Sequence, residues 1–212
     1  MSRDVATGLG VSPGIAIGEP VVHETLPIST VRISLASSDV ESEVERLHAA
    51  VATAVKRIKE SQKRALKQMG EEYAGIFEAH QLIASDRSFL DPVEKIIREQ
   101  RVNAEWAVQR ISADLGEEFA RIENELLRER GEDLRDVTRY LLRTLQGIQQ
   151  HHELSRIDTP VVIVADELTP GEAVRLGRQK VVGFAIESGG QTSHTTIMAR
   201  ALKIPLVTGL GG

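Results

Sequence analysis

A mixed α+β/α/β architecture is predicted here: an α/β domain made from both chain ends, with an antiparallel bundle of helical hairpins inserted between them. Three observations predict it. Short apolar alternations bracketed by Gly and Pro open the chain, helix-period text fills its middle, and β-branched runs of buried-strand type follow after residue 151. The expected division is 1–37 with 151–212 for the α/β domain and 38–150 for the helical insert. Aromatic residues make up only 3% of the chain. Its core must therefore be built from Leu, Ile, Val and Ala, which suits packed helices and parallel strands better than an antiparallel sandwich.

The opening element is VSPGIAIGEPVV, residues 11 to 22, where Pro13, Gly14, Gly18 and Pro20 bracket short extended runs. Helical text begins at Ser38. Ser38 and Glu41 have capping-box spacing, and Val40, Val44, Leu47, Val51, Val55 and Ile58 follow at steps of three or four. Gly70 and Gly75 flank a possible break. Asp91-Pro92-Val93-Glu94 reads as a cap, a first-turn proline and an acidic third position. Asn103 is placed to cap a helix carrying Trp106, Ile111, Leu115, Phe119 and Ile122. Gly131 is expected to separate that helix from another with Leu134, Val137, Leu141, Leu145 and Ile148. About four helices joined by short turns make a bundle; the punctuation is too frequent for a long coiled coil. Strands then alternate with helices: VVIVA at 161–165, a helix at 170–178, VVGFAI at 181–186, a helix at 194–202 and PLV at 205–207.

Composition excludes several classes of function. Net charge is −5, with basic and acidic residues spread along the whole chain, so no basic patch exists to neutralise nucleic acid. A mildly acidic surface favours a partner with a positive face. The chain has no cysteine, which removes disulfides, thiolate catalysis and the common structural zinc sites. No apolar run suits a signal peptide or a membrane span, so a soluble, cytoplasmic protein is expected. HExxH spacing is absent, and His151-His152 with Glu153 reads as a solvated helix end. His23 and His48 read as structural or exposed.

The stretch GGQTSHTTIMARAL, residues 189–202, carries the chemistry. It follows the strand VVGFAI, and Gly189 and Gly190 permit a turn with positive φ. Thr192 or Ser193 is a natural N-cap, which places His194 in the first helical turn, where N–H groups without intrahelical partners and the positive end of the helix dipole favour an anion. An imidazole with a reference pKa of about 6.5 is mostly neutral near pH 7 and has a lone pair to offer an electrophile such as phosphorus. A Ser-His dyad fails because Ser193 beside His194 on a helix start points elsewhere. On spacing alone, the competing reading is a strand-turn-helix connection with an incidental polar histidine.

GGQTSHTTIMARALKIPLV closely resembles the phosphohistidine signature of phosphoenolpyruvate (PEP)-utilising enzymes. With SPGIAIG near the start, the chain resembles the Enzyme I family of the bacterial PEP:sugar phosphotransferase system. GEEYAGIFEAHQLIASD at 70–86, ERGEDLRDVTRYLLR at 129–143 and ADELTPGEAVRL at 165–176 fit as well, so the resemblance covers essentially the whole chain. It implies a phosphohistidine α/β domain and PEP-protein phosphotransferase activity. In that activity a histidine takes a phosphoryl group from PEP and hands it to a histidine of the small carrier HPr. His194 matches the phosphorylated position, with Nε2 as the attacking atom. Gly189, Gly190, Thr192 and Ser193 match the surrounding loop. Thr169 matches a threonine whose hydroxyl bonds the active histidine in the family, although Thr169-Pro170-Gly171-Glu172 is equally a capping box. Arg200 lies about two turns on, which favours a structural salt bridge over a phosphate contact.

By the same resemblance the helical insert is the HPr-docking surface. Glu71, Glu72, Ile76, His80, Ile83 and Asp86 fall on the matching segment and mix acid with apolar side chains, with core packing as the competing role for the isoleucines. Tyr73 stands where some relatives have lysine. The family's PEP site and its magnesium ligands lie on a C-terminal barrel that these 212 residues do not include. No metal or cofactor is therefore expected in this region, and Mg2+ is expected on that further domain. VTGLGG falls before the last strands expected of the α/β domain, so the sequence reads as a piece of a longer protein that would dimerise through its remaining part. Two alternatives stay open. One is a nitrogen-related regulatory paralogue, against which the absence of an extra N-terminal sensory segment argues. The other is a non-catalytic module that docks carriers through its helices.

Overall fold

The computed structural model describes residues 5–23, 28, 30–123, 125–148, 158–177, 180–191 and 193–210. The chain divides into two compact units, one gathering residues 1–26, 63–74 and 151–212, the other 27–62 and 75–150.

In the first unit, β1 (Leu9–Ser12) and β2 (Glu19–His23) come from the opening segment, and β3 (Val161–Ala165), β4 (Val181–Ile186) and β5 (Leu206–Thr208) from the closing one. They form a single sheet in the order β1-β5-β4-β3-β2. β2 to β5 are parallel neighbours, while β1 pairs antiparallel with β5. The two early strands thus occupy opposite edges and the late strands fill the centre. Two crossover helices, α6 (Pro170–Leu176) and α7 (His194–Ala201), link β3 to β4 and β4 to β5. Both crossovers step the same way across the sheet, so right-handed connection places both helices on one face. There Leu176 and Ala199 join Ile163, Phe184, Ile186 and Leu206 in one buried cluster. The strand runs and their helices lie within two residues of where the sequence puts them.

The segment between β1 and β2 is laid down by small residues. A methyl group on Gly183 would come within 2.6 Å of the Ala16 side chain, and one on Gly18 within 2.7 Å of the Pro160 carbonyl. Gly183→Ala must push residues 14–18 off β4, and overpacking of this kind costs about 1–3 kcal/mol. A lowered midpoint of chemical denaturation is the expected result.

Among the described residues five helices lie between β2 and β3: α1 (Val40–Met69), α2 (Glu71–Ala84), α3 (Arg87–Gln100), α4 (Ala104–Ala120) and α5 (Glu125–Leu145). Several details depart from expectation. α1 starts at Val40, not at Ser38, whose hydroxyl donates to Asp39 Oδ1 at 2.9 Å while Glu41 accepts from Arg98. Its fully buried stripe runs Leu47, Ala54, Ile58 and Ala65; Val51 and Val55 are only half-buried, because alanines permit the closer helix approach. Gly70, with φ +96°, makes the break between α1 and α2, whereas Gly75 sits inside α2. α3 starts at Arg87 under an Asp86 cap that accepts from Ser88 N, so Asp91-Pro92 lies within the helix and does not begin it.

Asn103 precedes α4 without capping it through its side chain; Asn103 Oδ1 accepts from Ile33 N and Nδ2 donates to Glu105. The α4 N-terminus is satisfied instead by Glu43, which accepts from Ala104 N at 2.6 Å. Ile122 lies beyond α4, whose buried residues are Ala104, Ala107, Val108 and Ser112. Gly131 is internal to α5, where a Cβ would make an ordinary contact with Phe119 Cβ at 3.5 Å, so it separates nothing. Residues 33–35, expected with the sheet, bond to 101–103 in the helical unit: Leu35 N donates to Arg101 O and Asn103 N to Ile33 O. No described helix is long and apolar enough to cross a membrane.

Two carboxylates tie the helical unit to pH. Hydrogen bonds from His48 and Arg98 hold Glu94 below the usual glutamate range. Burial pushes Glu105 upward, but hydrogen bonds from Arg46, from its own backbone and from Asn103, with the Arg46 charge, bring it below that range as well. In acid the folded state therefore binds fewer protons than the unfolded chain, whose glutamates titrate near 4.3. The stabilisation from both groups is complete above that pH and is lost as pH falls through the depressed folded values. Circular-dichroism melts between pH 7 and pH 3 are expected to show this acid loss, with a shallower acid limb for Glu94→Gln.

Candidate functional site

The turn after β4 is held from both sides. Glu187 N donates to Ala165 O at 3.0 Å and Ser188 N to Asp166 O at 2.8 Å, while Gly209 N donates to Glu187 O at 3.1 Å. Gly189, at φ +135°, supplies the conformation that lets the chain double back into α7. Gly190 has no positive φ but offers its carbonyl to Thr196 Oγ1 at 2.8 Å. Ser193 is the N-cap of α7, its Oγ accepting from Thr196 N at 3.3 Å. Thr192, the other expected cap, lies outside the described residues.

His194 is the first residue of α7 and is half-buried. Its neighbours are pinned on both sides: Thr195 donates its hydroxyl to the Leu168 carbonyl, and Thr196 is bound through both its N–H and its hydroxyl. The first turn of α7 contains no acidic side chain, so nothing in the helix offsets the positive end of its dipole. An imidazole placed there can take on a negatively charged group beside backbone N–H donors with little further reorganisation.

The Thr195–Leu168 bond brings the loop before α6 to the start of α7, with Thr169 next in that loop. Both halves of the capping box are present: Thr169 Oγ1 accepts from Glu172 N, and Glu172 accepts from Thr169 N at 2.9 Å. Sequence reasoning placed Glu172 in the capping box and read His23 as structural or exposed, but did not bring the two together. Glu172 is 1% exposed, and its second carboxylate oxygen lies 3.4 Å from His23 Nε2 of β2. His23 and Glu172 are 149 residues apart, and no local pattern signals their meeting. Arg200 is also corrected: its Nε donates at 2.8 Å to the main-chain carbonyl of Val11, tying α7 to β1, in place of the expected salt bridge.

On α2 the expected surface is only partly a surface. Glu71 and Glu72 are exposed, Ile76 and Ile83 are half-buried, and Asp86 is exposed while capping α3. His80 is fully buried, with Nε2 at 3.2 Å from Asp133 Oδ1 and its ring edge-on to Phe77. That removes His80 from any direct contact with a partner. The reason is helical phase: Ala74, Phe77, His80 and Ala84 form the inward stripe. The outward stripe is Glu71, Gly75, Glu78 and Leu82, with Leu82 70% exposed; Glu78 and Leu82 are the surface residues the sequence reading passed over.

Residues 7–130 match the family described as PEP-utilising enzyme, N-terminal, and residues 157–212 the one described as PEP-utilising enzyme, mobile domain. An NMR solution structure of Enzyme I (nEIt) superposes with a TM-score of 0.82 at 36% identity, covering 98% of this chain and 84% of that one. The chain belongs to the Enzyme I family of PEP-utilising enzymes. Its Enzyme I relatives include the phosphoenolpyruvate-protein phosphotransferase of Geobacillus stearothermophilus, 41% identical over 95% of this chain and 34% of the relative. The chain thus spans about a third of the length of such curated Enzyme I proteins. The N-terminal domain of Enzyme 1 - Nitrogen is similar too, at 30% identity and a TM-score of 0.69 over 97% of this chain and 83% of that one.

Proposed function

We propose that this chain is the phosphohistidine-bearing part of a PEP-protein phosphotransferase, with His194 as the phosphoryl carrier. In this reading the sheet unit holds the phosphate and the helical unit docks an HPr-like carrier protein. His194 Nε2 attacks phosphorus, a P–N bond forms there, and the bond from phosphorus to the donor breaks. In the return step the carrier's histidine nitrogen displaces His194 Nε2 from phosphorus. Phosphoryl transfer of this kind needs little covalent chemistry from a protein beyond positioning and charge stabilisation. The observation that carries the reading is the half-buried imidazole at the first position of α7, flanked by hydroxyl-bearing residues that hydrogen bonds fix in place. Glu71, Glu78 and Leu82 offer the acidic and apolar face that an electrostatically steered, transient partner uses.

PEP and its magnesium ion belong, in this reading, to sequence outside these 212 residues. The test follows acid-labile phosphate on the purified chain offered phosphorylated HPr or PEP with Mg2+. Labelling from phosphorylated HPr alone is expected. No labelling from it would remove the function, and labelling from PEP alone would overturn the division of labour.

A further inference from the structure

We propose that Arg200 is a positioning residue for His194, fixing the far end of α7 against β1; the proposal rests on His194 being the phosphoryl carrier. β1 does not run evenly along β5. Gly10 faces Val207 and Ser12 faces Leu206, so Val11 is the extra residue of a bulge. A bulge leaves its extra residue out of the ladder, and the Val11 carbonyl accepts instead from Arg200 Nε at 2.8 Å. The strand that offers this carbonyl is itself held close. A methyl group on Gly8 would come within 2.5 Å of the Thr208 carbonyl oxygen, and one on Gly14, at φ +137°, within 2.6 Å of Pro205 Cγ. The chain is therefore seated closely on both sides of the bulge, which makes β1 a fixed point from which a side chain on α7 can be held.

α7 needs such a hold. It has eight residues and is about 12 Å long. Its member of the buried apolar cluster is Ala199, and a methyl group makes no ridge that would lock the helix against turning on the sheet. Hydrogen bonds at the two ends supply what packing lacks. Thr195 donates its hydroxyl to the Leu168 carbonyl in the first turn, and Arg200 reaches Val11 from the last. Held at one end, a short helix tilts about that end; held at both, it keeps its direction. His194 adjoins Thr195, so a tilt about the first turn carries its ring through the same angle. Productive geometry tolerates only about 10–20° of such error. The bond from Arg200 is single and goes to a neutral carbonyl, so it demands a donor of the right reach and not a paired fork.

The experiment measures exchange with phosphorylated HPr, resolved into kcat and KM, at a temperature where each variant is folded. Residual dipolar couplings of the α7 amides are compared with those of β3 and β4 in the same proteins. Arg200→Met keeps the apolar stem and removes the donor. It should lower kcat about tenfold, short of the roughly hundredfold loss that about 1 Å of misplacement brings, with KM for the carrier unchanged because the proposed carrier face lies on α2. Its α7 couplings should depart from the one alignment that fits helix and strands together in the wild type. Arg200→Lys, which keeps a donor, should return most of the lost kcat. Gly8→Ala leaves Arg200 in place but forces β1 away from β5, and should lower kcat severalfold with KM again unchanged; this variant decides if Arg200→Met does not fold. A wild-type kcat or wild-type α7 couplings in folded Arg200→Met, or a wild-type kcat in folded Gly8→Ala, would leave the bond a matter of stability alone and overturn the proposal. Absence of phosphate on wild-type His194 would instead overturn the reading beneath it.

Discussion

Replacing His194 with alanine is expected to abolish phosphate uptake from phosphorylated HPr completely while leaving carrier binding intact. The neighbouring hydroxyls cannot take its role: Ser193, Thr195 and Thr196 are each committed to holding the turn and the start of α7. Those bonds do not involve the imidazole, so the turn persists without it, and a half-buried side chain at a helix start costs little stability when truncated. Mass spectrometry of the labelled chain gives the first readout and titration calorimetry with unphosphorylated carrier the second. Transfer at the wild-type rate by His194→Ala would eliminate the enzymatic reading. Loss of transfer together with retained binding separates catalysis from docking.

The second large effect concerns stability. Phe77→Ala is expected to destabilise the helical unit by about 3–5 kcal/mol, the range found for emptying a fully buried aromatic site. Phe77 is 0% exposed on the inward stripe of α2, and its ring stands edge-on to the buried His80 with centroids 6.2 Å apart. Truncation therefore removes apolar burial and opens space beside a polar ring at once. Leu82→Ala, two residues beyond His80 and 70% exposed, is the control and should fall within about 0.5 kcal/mol of wild type. Urea unfolding of both proteins decides the matter; equal midpoints would mean that α2 does not contribute its inner face to the core.

The strands at 161–165 and 181–186 were legible because central strands of a parallel sheet are written as nearly continuous β-branched runs. The cap at Ser193 and the place of His194 were legible for a local reason as well, since glycine turn, cap and first helical turn are contiguous in sequence. Much of what failed depended on residues outside the local pattern. Gly131 reads as a separator until Phe119 is known to lie against it, and Asp91-Pro92 reads as a helix start although the nearby Asp86 makes the cap. Asn103 has the right identity for a cap, but Glu43 on α1 performs that task. In the site, His23 and Glu172 meet only through the pairing of β2 with β3. His80 was misplaced because a histidine among acidic residues reads as surface, while its helical phase aligns it with Phe77. The role of Thr169 in particular came from family resemblance; spacing alone gave only a cap.

The sheet that carries His194 also dictates an order of assembly. Arg200 reaches back to Val11 across 189 residues, and β5 is the only strand to which β1 is hydrogen-bonded among the described residues. As the polypeptide leaves the ribosome, the helical unit of residues 27–62 and 75–150 is fully synthesised before β3 to β5 emerge, and such units form domain by domain during synthesis. The strands β1 and β2 must wait meanwhile with unpaired edges and their apolar side chains in water. Nascent-chain stalling before residue 160 should thus yield a protease-resistant helical fragment tethered to a protease-sensitive leader.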